Sequence, residues 1–157
     1  MRGKTFKIYM DACCFCRPFD NLSQERIFQE ALAIHSIIKR SFEAGWTIFA
    51  SEILEIELFG PVYPSKPNVL KMYNSITDKY VGLTASVEER GNTLQENGMD
   101  VYDSLHVALA ENCGADIFLT TDDHLLALSK RLDVKLHTAN PAAWLFEVKQ
   151  HERQNTI

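Results

Sequence analysis

The sequence predicts an α/β protein: a mostly parallel central sheet held between two layers of helices. Three observations lead there. Short apolar runs of strand length alternate with longer amphipathic stretches along the chain. Most of the helical stretches carry capping or terminating residues at their ends. The length, 157 residues, is that of one domain with a core of its own. Repeated strand–helix–strand units close as right-handed crossovers, which leaves the strands parallel and both faces covered.

Residues 6–10 (FKIYM) form the first strand. Asn21 or Ser23 caps a long helix, with Asn21 and Gln24 at capping-box spacing. Ile27, Ala31, Ile34 and Ile38 give that helix an apolar stripe, and Gly45 ends it. "WTIFAS" is the second strand, and its Ser51 caps the helix "EILEIELFG". The stretch "GPVYPSKP", residues 60–67, is broken by prolines. Residues 68–79 read as helix and 80–83 as a short strand; Ser86 and Glu89 start a helix running toward Gly98. "MDVYDSLHVALAENCG" has acids in its first turn and a closing glycine, both marks of a helix. "DIFLT" is a buried strand, "TDDHLLALSKR" a helix and "VKLH" a last strand. Asn140 and Pro141 open the final helix, "PAAWLFEVK". Residues 1–148 thus read as a single domain and 149–157 as a polar tail that frays.

Composition excludes several classes. Apolar residues at 46% and charged residues at 24% are globular proportions, and no apolar run nears the roughly 20 residues of a membrane helix. The N-terminal apolar stretch is too short for a signal peptide and is broken by Lys7 and Asp11, so the cytoplasm is the expected compartment. The four cysteines show no paired C-x2-C zinc spacing and are expected to be reduced. A net charge of −5 opposes non-specific wrapping of nucleic acid, yet it leaves room for a site whose carboxylates are neutralised by cations.

Parallel sheets bind ligands beyond the carboxyl ends of their strands, so acids at strand exits and helix starts carry the interest. Asp11 ends the first strand, Glu57 lies in the helix after the second, Asp103 sits in the first turn of its helix, and Asp122 follows "FLTT". Singly, each has an ordinary explanation as a turn residue, a cap or a dipole partner. Together on one rim they would repel one another, and such a cluster makes sense around a hard divalent cation, Mg²⁺ or Mn²⁺.

The chain resembles the PIN-domain family, which includes the VapC-type toxin ribonucleases of bacterial toxin–antitoxin pairs. The resemblance spans nearly the whole chain and rests on "IYMDACCFCRPF", "SEILEIELFG", "DSLHVALAENCGADIFLTTDDHLL" and "NPAAWL". The third segment matches the family pattern of D-A-L-H-x-A-x-A, a small loop, and an apolar strand ending T-x-D. It implies a three-layer α/β/α PIN-like fold and a ribonuclease that leaves 5′-phosphate and 3′-hydroxyl ends. Asp11, Glu57, Asp103 and Asp122 fall on the family's acidic, metal-holding and catalytic positions. Glu55 is the alternative to Glu57, and Asp123 to Asp122. Thr120 or Thr121 takes the family's hydroxyl position; Thr121 is a candidate substrate contact, and Arg17, just beyond Asp11, is a candidate either for a phosphate contact or for a structural salt bridge. The resemblance further implies an RNA substrate, an antitoxin partner and a homodimer. The Cys13, Cys14 and Cys16 cluster departs from the pattern.

Other chemistries fit less well. A C-x5-R phosphatase loop would need a cysteine where Asp11 stands. Haloacid-dehalogenase-like enzymes would want D-x-D, but Cys13 holds the second position, and receivers would want an acid pair and a late lysine. Cys13, Cys14, Cys16 and Cys113 read as small buried hydrophobes. His106 is expected to pack or hydrogen-bond beneath the site rather than bind metal, and His124 to be a surface residue. The non-enzymatic alternative is a PIN-like RNA-binding or protein-interaction module that has lost its chemistry.

Overall fold

A computed structural model describes residues 3–61 and 66–155. Among the described residues there are five strands: β1 (Lys7–Met10), β2 (Thr47–Ser51), β3 (Lys79–Val81), β4 (Ile117–Leu119) and β5 (His137–Ala139). Eight helices alternate with them: α1 (Ala12–Cys16), α2 (Glu25–Ala44), α3 (Glu52–Phe59), α4 (Pro67–Ile76), α5 (Ala85–Glu96), α6 (Val101–Asn112), α7 (Asp123–Arg131) and α8 (Pro141–Asn155). The sheet order is β3-β2-β1-β4-β5, with every pairing parallel. The chain winds outward from β1 on one side and then returns to its other side with β4. The crevice beyond the ends of β1 and β4 is therefore the topological switch point.

The strands are short apolar runs because both faces are covered. Ile8, Tyr9, Met10, Ile48, Phe49, Phe118 and Leu119 are fully buried. On one flank Phe6 sits edge-on to both Trp46 and Trp144, at 5.1 Å between ring centroids in each case. These rings join the base of the sheet to α8. None of the described helices is long and apolar enough to cross a membrane.

Several boundaries differ from the sequence reading, each for a local reason. No element was expected between Asp11 and Asn21, yet the Asp11 side chain caps α1 by accepting from Cys13 N, and Arg17–Phe19 continues as a 3₁₀ turn. The cap of α2 is Gln24, with no side-chain bond, because Asn21 Oδ1 is used locally by the N–H and hydroxyl of Ser23. Thr84 rather than Ser86 caps α5, accepting from Val87 N. Ser51 does cap α3, accepting from Leu54 N. Helix α4 ends at Ile76, earlier than expected, and the middle of the proline-rich stretch, residues 62–65, lies outside the described residues. The polar segment after Lys149 does not fray at once. It continues α8 to Asn155, held against α2 by an Arg40–Glu152 ion pair.

Gly45 closes α2 at φ +73°, where its N–H bonds Ser41 O. A Cβ there would meet no neighbour but would strain the backbone. Gly45→Ala is expected to cost about 1 kcal/mol, read as a lower urea midpoint at unchanged slope.

Candidate active site

Asp11 leaves β1 at the centre of the sheet and is 6% exposed. Its N–H bonds Leu119 O at 3.1 Å, which extends the β1–β4 ladder by one residue and aims the side chain at the switch point. Both carboxylate oxygens are engaged. Oδ1 accepts from Cys13 N (2.9 Å) and from the Cys13 thiol, while Oδ2 accepts from Thr120 Oγ1.

Glu57 approaches from α3 and is held by a buried relay. His106 Nε2 contacts Glu57 Oε1, His106 Nδ1 lies 2.6 Å from Tyr9 OH, and Tyr9 OH lies 2.7 Å from Ser51 Oγ. A carboxylate only accepts, so His106 Nε2–H donates to Glu57. Nδ1 then accepts from the Tyr9 hydroxyl, which in turn accepts from Ser51. Burial holds the Tyr9 hydroxyl well above its usual pKa, so it remains a donor. His106 thus does what the sequence reading assigned to it.

Asp122 caps α7, its Oδ1 accepting from His124 N (2.9 Å) and Leu125 N (3.2 Å). Asp103 comes from the first turn of α6, and among the described residues none hydrogen-bonds its carboxylate. Asp11, Glu57, Asp103 and Asp122 line one cleft of about 120 Å³ together with Ala12, Cys13 and His106.

The geometry also separates the alternatives left open by the sequence. Glu55 does not line the cleft; it accepts from Tyr73 OH at 3.0 Å. Asp123 is gripped by both terminal nitrogens of Arg26 at 2.8 Å, outside the cleft. Arg17 is not at the cleft either. Its guanidinium donates to Asp20 (3.0 Å) and to Thr121 Oγ1 (2.8 Å), and its Nε stands 3.1 Å from Glu30 Oε1. That last contact is poorly aligned, so it is electrostatic rather than a directed hydrogen bond. Thr121 is buried and gives its hydroxyl proton to Cys13 Sγ at 3.0 Å. Arg17 thus takes the salt-bridge alternative, and Thr121, a candidate substrate contact, supports Cys13.

One site residue was misread. Cys14 and Cys16 are buried in the core and Cys113 packs against it, as small hydrophobes do. Cys13 instead lines the cleft, where its sulfur accepts from the N–H and hydroxyl of Thr121. The signal was its place two residues after Asp11, inside the turn that the aspartate caps.

Acids crowded in this way resist ionisation. Burial, and then the neighbouring Cys13, hold Asp11 well above the usual carboxylate range. Burial, and then Asp11, push Asp103 up to about 6. Hydrogen bonds, first with Cys14 and then with Asp11 and Thr121, draw Cys13 down to about 6 against the opposing effect of burial. A folded pKa near 6 for Asp103 stands above the unfolded value of about 3.9, so the folded chain holds the extra proton between the two. That contribution to stability is present at about pH 4 and is lost as pH rises through about 6. A divalent cation, were one to bind in this cleft, would therefore raise the melting temperature more at about pH 7 than at about pH 4.5. Thermal unfolding with and without Mn²⁺ across that range checks this, and an equal effect at both ends would contradict it.

No protein-family model and no curated protein matches the chain. Among solved structures, it is similar to a chain of VapBC2 from Rickettsia felis, crystallised bound to a DNA fragment from the promoter. The likeness has a TM-score of 0.54 at 20% identity and covers 85% of this chain and 98% of that one. The fold is PIN-like. Within the PIN-like architecture, the parallel five-stranded sheet and its flanking helices account for why residues from β1, α3, α6 and the start of α7 share one cleft.

Proposed function

We propose that the chain is a divalent-metal-dependent ribonuclease, the toxin half of a type II toxin–antitoxin pair, acting in the cytoplasm as a homodimer. The observation that carries this reading is the meeting of Asp11, Glu57, Asp103 and Asp122 at one small cleft on the switch point. The donor chemistry suits the ion, since carboxylate oxygens favour Mg²⁺ or Mn²⁺. Asp11, Asp103 and Asp122 would hold it, with Glu57 completing the set. A cation bound there supplies Lewis-acid stabilisation of phosphate oxygens and activates water.

The chain's own contribution is order. Thr120 and the Cys13 N–H fix the Asp11 carboxylate, the capped turn of α7 fixes Asp122, and the Ser51–Tyr9–His106 relay fixes Glu57. Asp11, Asp122 and Glu57 are thus positioned before substrate arrives, so little reorganisation of these three remains for the reaction. The chain is acidic overall, so a phosphodiester approaches only where these charges are neutralised. The antitoxin partner is supported by the similar structure being of VapBC2.

The test is cleavage of mixed RNA substrates by the wild-type chain and an Asp11→Asn/Asp103→Asn variant, with Mg²⁺, Mn²⁺ or chelator. Cleavage that needs the ion and is absent in the variant supports the ribonuclease. RNA binding without cleavage would instead favour the inactive module.

A further inference from the structure

We infer that Cys13 sets which divalent cation the cleft prefers, turning a site of hard oxygen donors toward thiophilic ions. The inference rests on the metal-binding reading of the acidic cleft. Four carboxylates alone would favour Mg²⁺ or Mn²⁺ and would discriminate little in favour of Zn²⁺ or Cd²⁺. Here a sulfur stands among them.

Its placement is fixed from three sides. The Cys13 N–H bonds Asp11 Oδ1 at 2.9 Å. Its sulfur accepts from Thr121 N at 3.4 Å and from Thr121 Oγ1 at 3.0 Å. Its own S–H is directed at Asp11 Oδ1. Thr121 is anchored in turn by Arg17 Nη2 at 2.8 Å. The sulfur is therefore preorganised beside the carboxylate that sits at the centre of the sheet. A thiophilic cation would be held by the Cys13 sulfur beside Asp11, with the thiol proton released to solvent.

The other thiols do not compete for this role. The ligand atoms of Asp11, Cys13 and Cys14 all lie within 4.8 Å of one another, but Cys14 is fully buried and does not line the cleft. Cys113 donates to Ala110 O at 3.5 Å and lies outside the cleft.

The experiment uses the full chain, with Cd²⁺ uptake followed by the sulfur-to-metal charge-transfer band and Mn²⁺ uptake by the resonance signal of the free ion. In the wild type, Cd²⁺ is expected to displace Mn²⁺ while the band grows in step. Cys13→Ser should still take up Mn²⁺, because a serine hydroxyl can donate to Asp11. It should lose the band, and its preference for Cd²⁺ over Mn²⁺ should fall roughly tenfold or more. Cys113→Ser, the control, should behave as wild type. A band that survives in Cys13→Ser, or an unchanged Cd²⁺-to-Mn²⁺ ratio, overturns the inference. A wild-type chain that shows the band but takes up no Mn²⁺ counts against the hard-cation reading and leaves the thiol assignment standing. Mn²⁺ uptake with no sulfur band does the reverse.

Discussion

Asp11→Asn is expected to lower metal-dependent RNA cleavage by about a thousandfold, equivalent to about 4 kcal/mol of transition-state stabilisation. The same change should raise the melting temperature of the metal-free chain at neutral pH. Asparagine has the shape of the acid it replaces. Its carbonyl can accept from Cys13, and its amide can donate to Thr120 Oγ1, which accepts from Asp122 N at 3.1 Å. What disappears is a buried negative charge facing Asp103, Asp122 and Glu57 across the cleft. Opposite signs for activity and stability distinguish a charge held for function from one that supports the fold. Cleavage assays and thermal melts on the same preparations check both halves. A variant that melts lower than wild type, or that still cleaves, would show that Asp11 is there for structure.

Glu30→Ala carries the largest expected loss of stability, about 3 kcal/mol. Glu30 is 2% exposed, yet it serves Arg17 from the 3₁₀ turn, Arg26 from its own helix and Asn140 ahead of α8. Removing its carboxylate leaves Arg17, whose side chain is 19% exposed, without its buried counter-charge. Replacing both charges by apolar groups of similar size should recover much of that loss, because neither ion then needs desolvation. Urea unfolding of Glu30→Ala, Arg17→Met and Glu30→Met/Arg17→Met checks this. A double variant no more stable than Glu30→Ala would mean that the site depends on packing rather than on an unpaired charge.

The sequence carries the architecture because strand and helix periodicities survive in each segment. The Ile27, Ala31, Ile34 and Ile38 stripe lies on α2, and "DIFLT" contains a fully buried strand. Asp11 and Asp122 are legible for a related reason, since strand exits in a parallel sheet all point to one rim, and Asp103 by its place in the first turn of a helix. Glu57 could not be separated from Glu55 by spacing. The choice depends on which helix face meets His106 rather than Tyr73, which is a tertiary fact. Helix α1 was missed because its five residues carry no periodicity, and its cap, Asp11, was already read as a site residue. Both roles belong to the same carboxylate. Arg17 shows the limit in the other direction. A basic residue next to a site acid suggests phosphate, but its partner Glu30 is buried on a different helix and leaves no mark in the local pattern.

The peptide N–H of Asp11 reaches across to Leu119, more than a hundred positions later in the chain. A growing polypeptide that has already exposed Asp11, Glu57 and Asp103 to solvent still lacks the strand that seats the first of them. Whatever chemistry the cleft supports is therefore silent throughout most of synthesis and switches on only with the closing of the sheet.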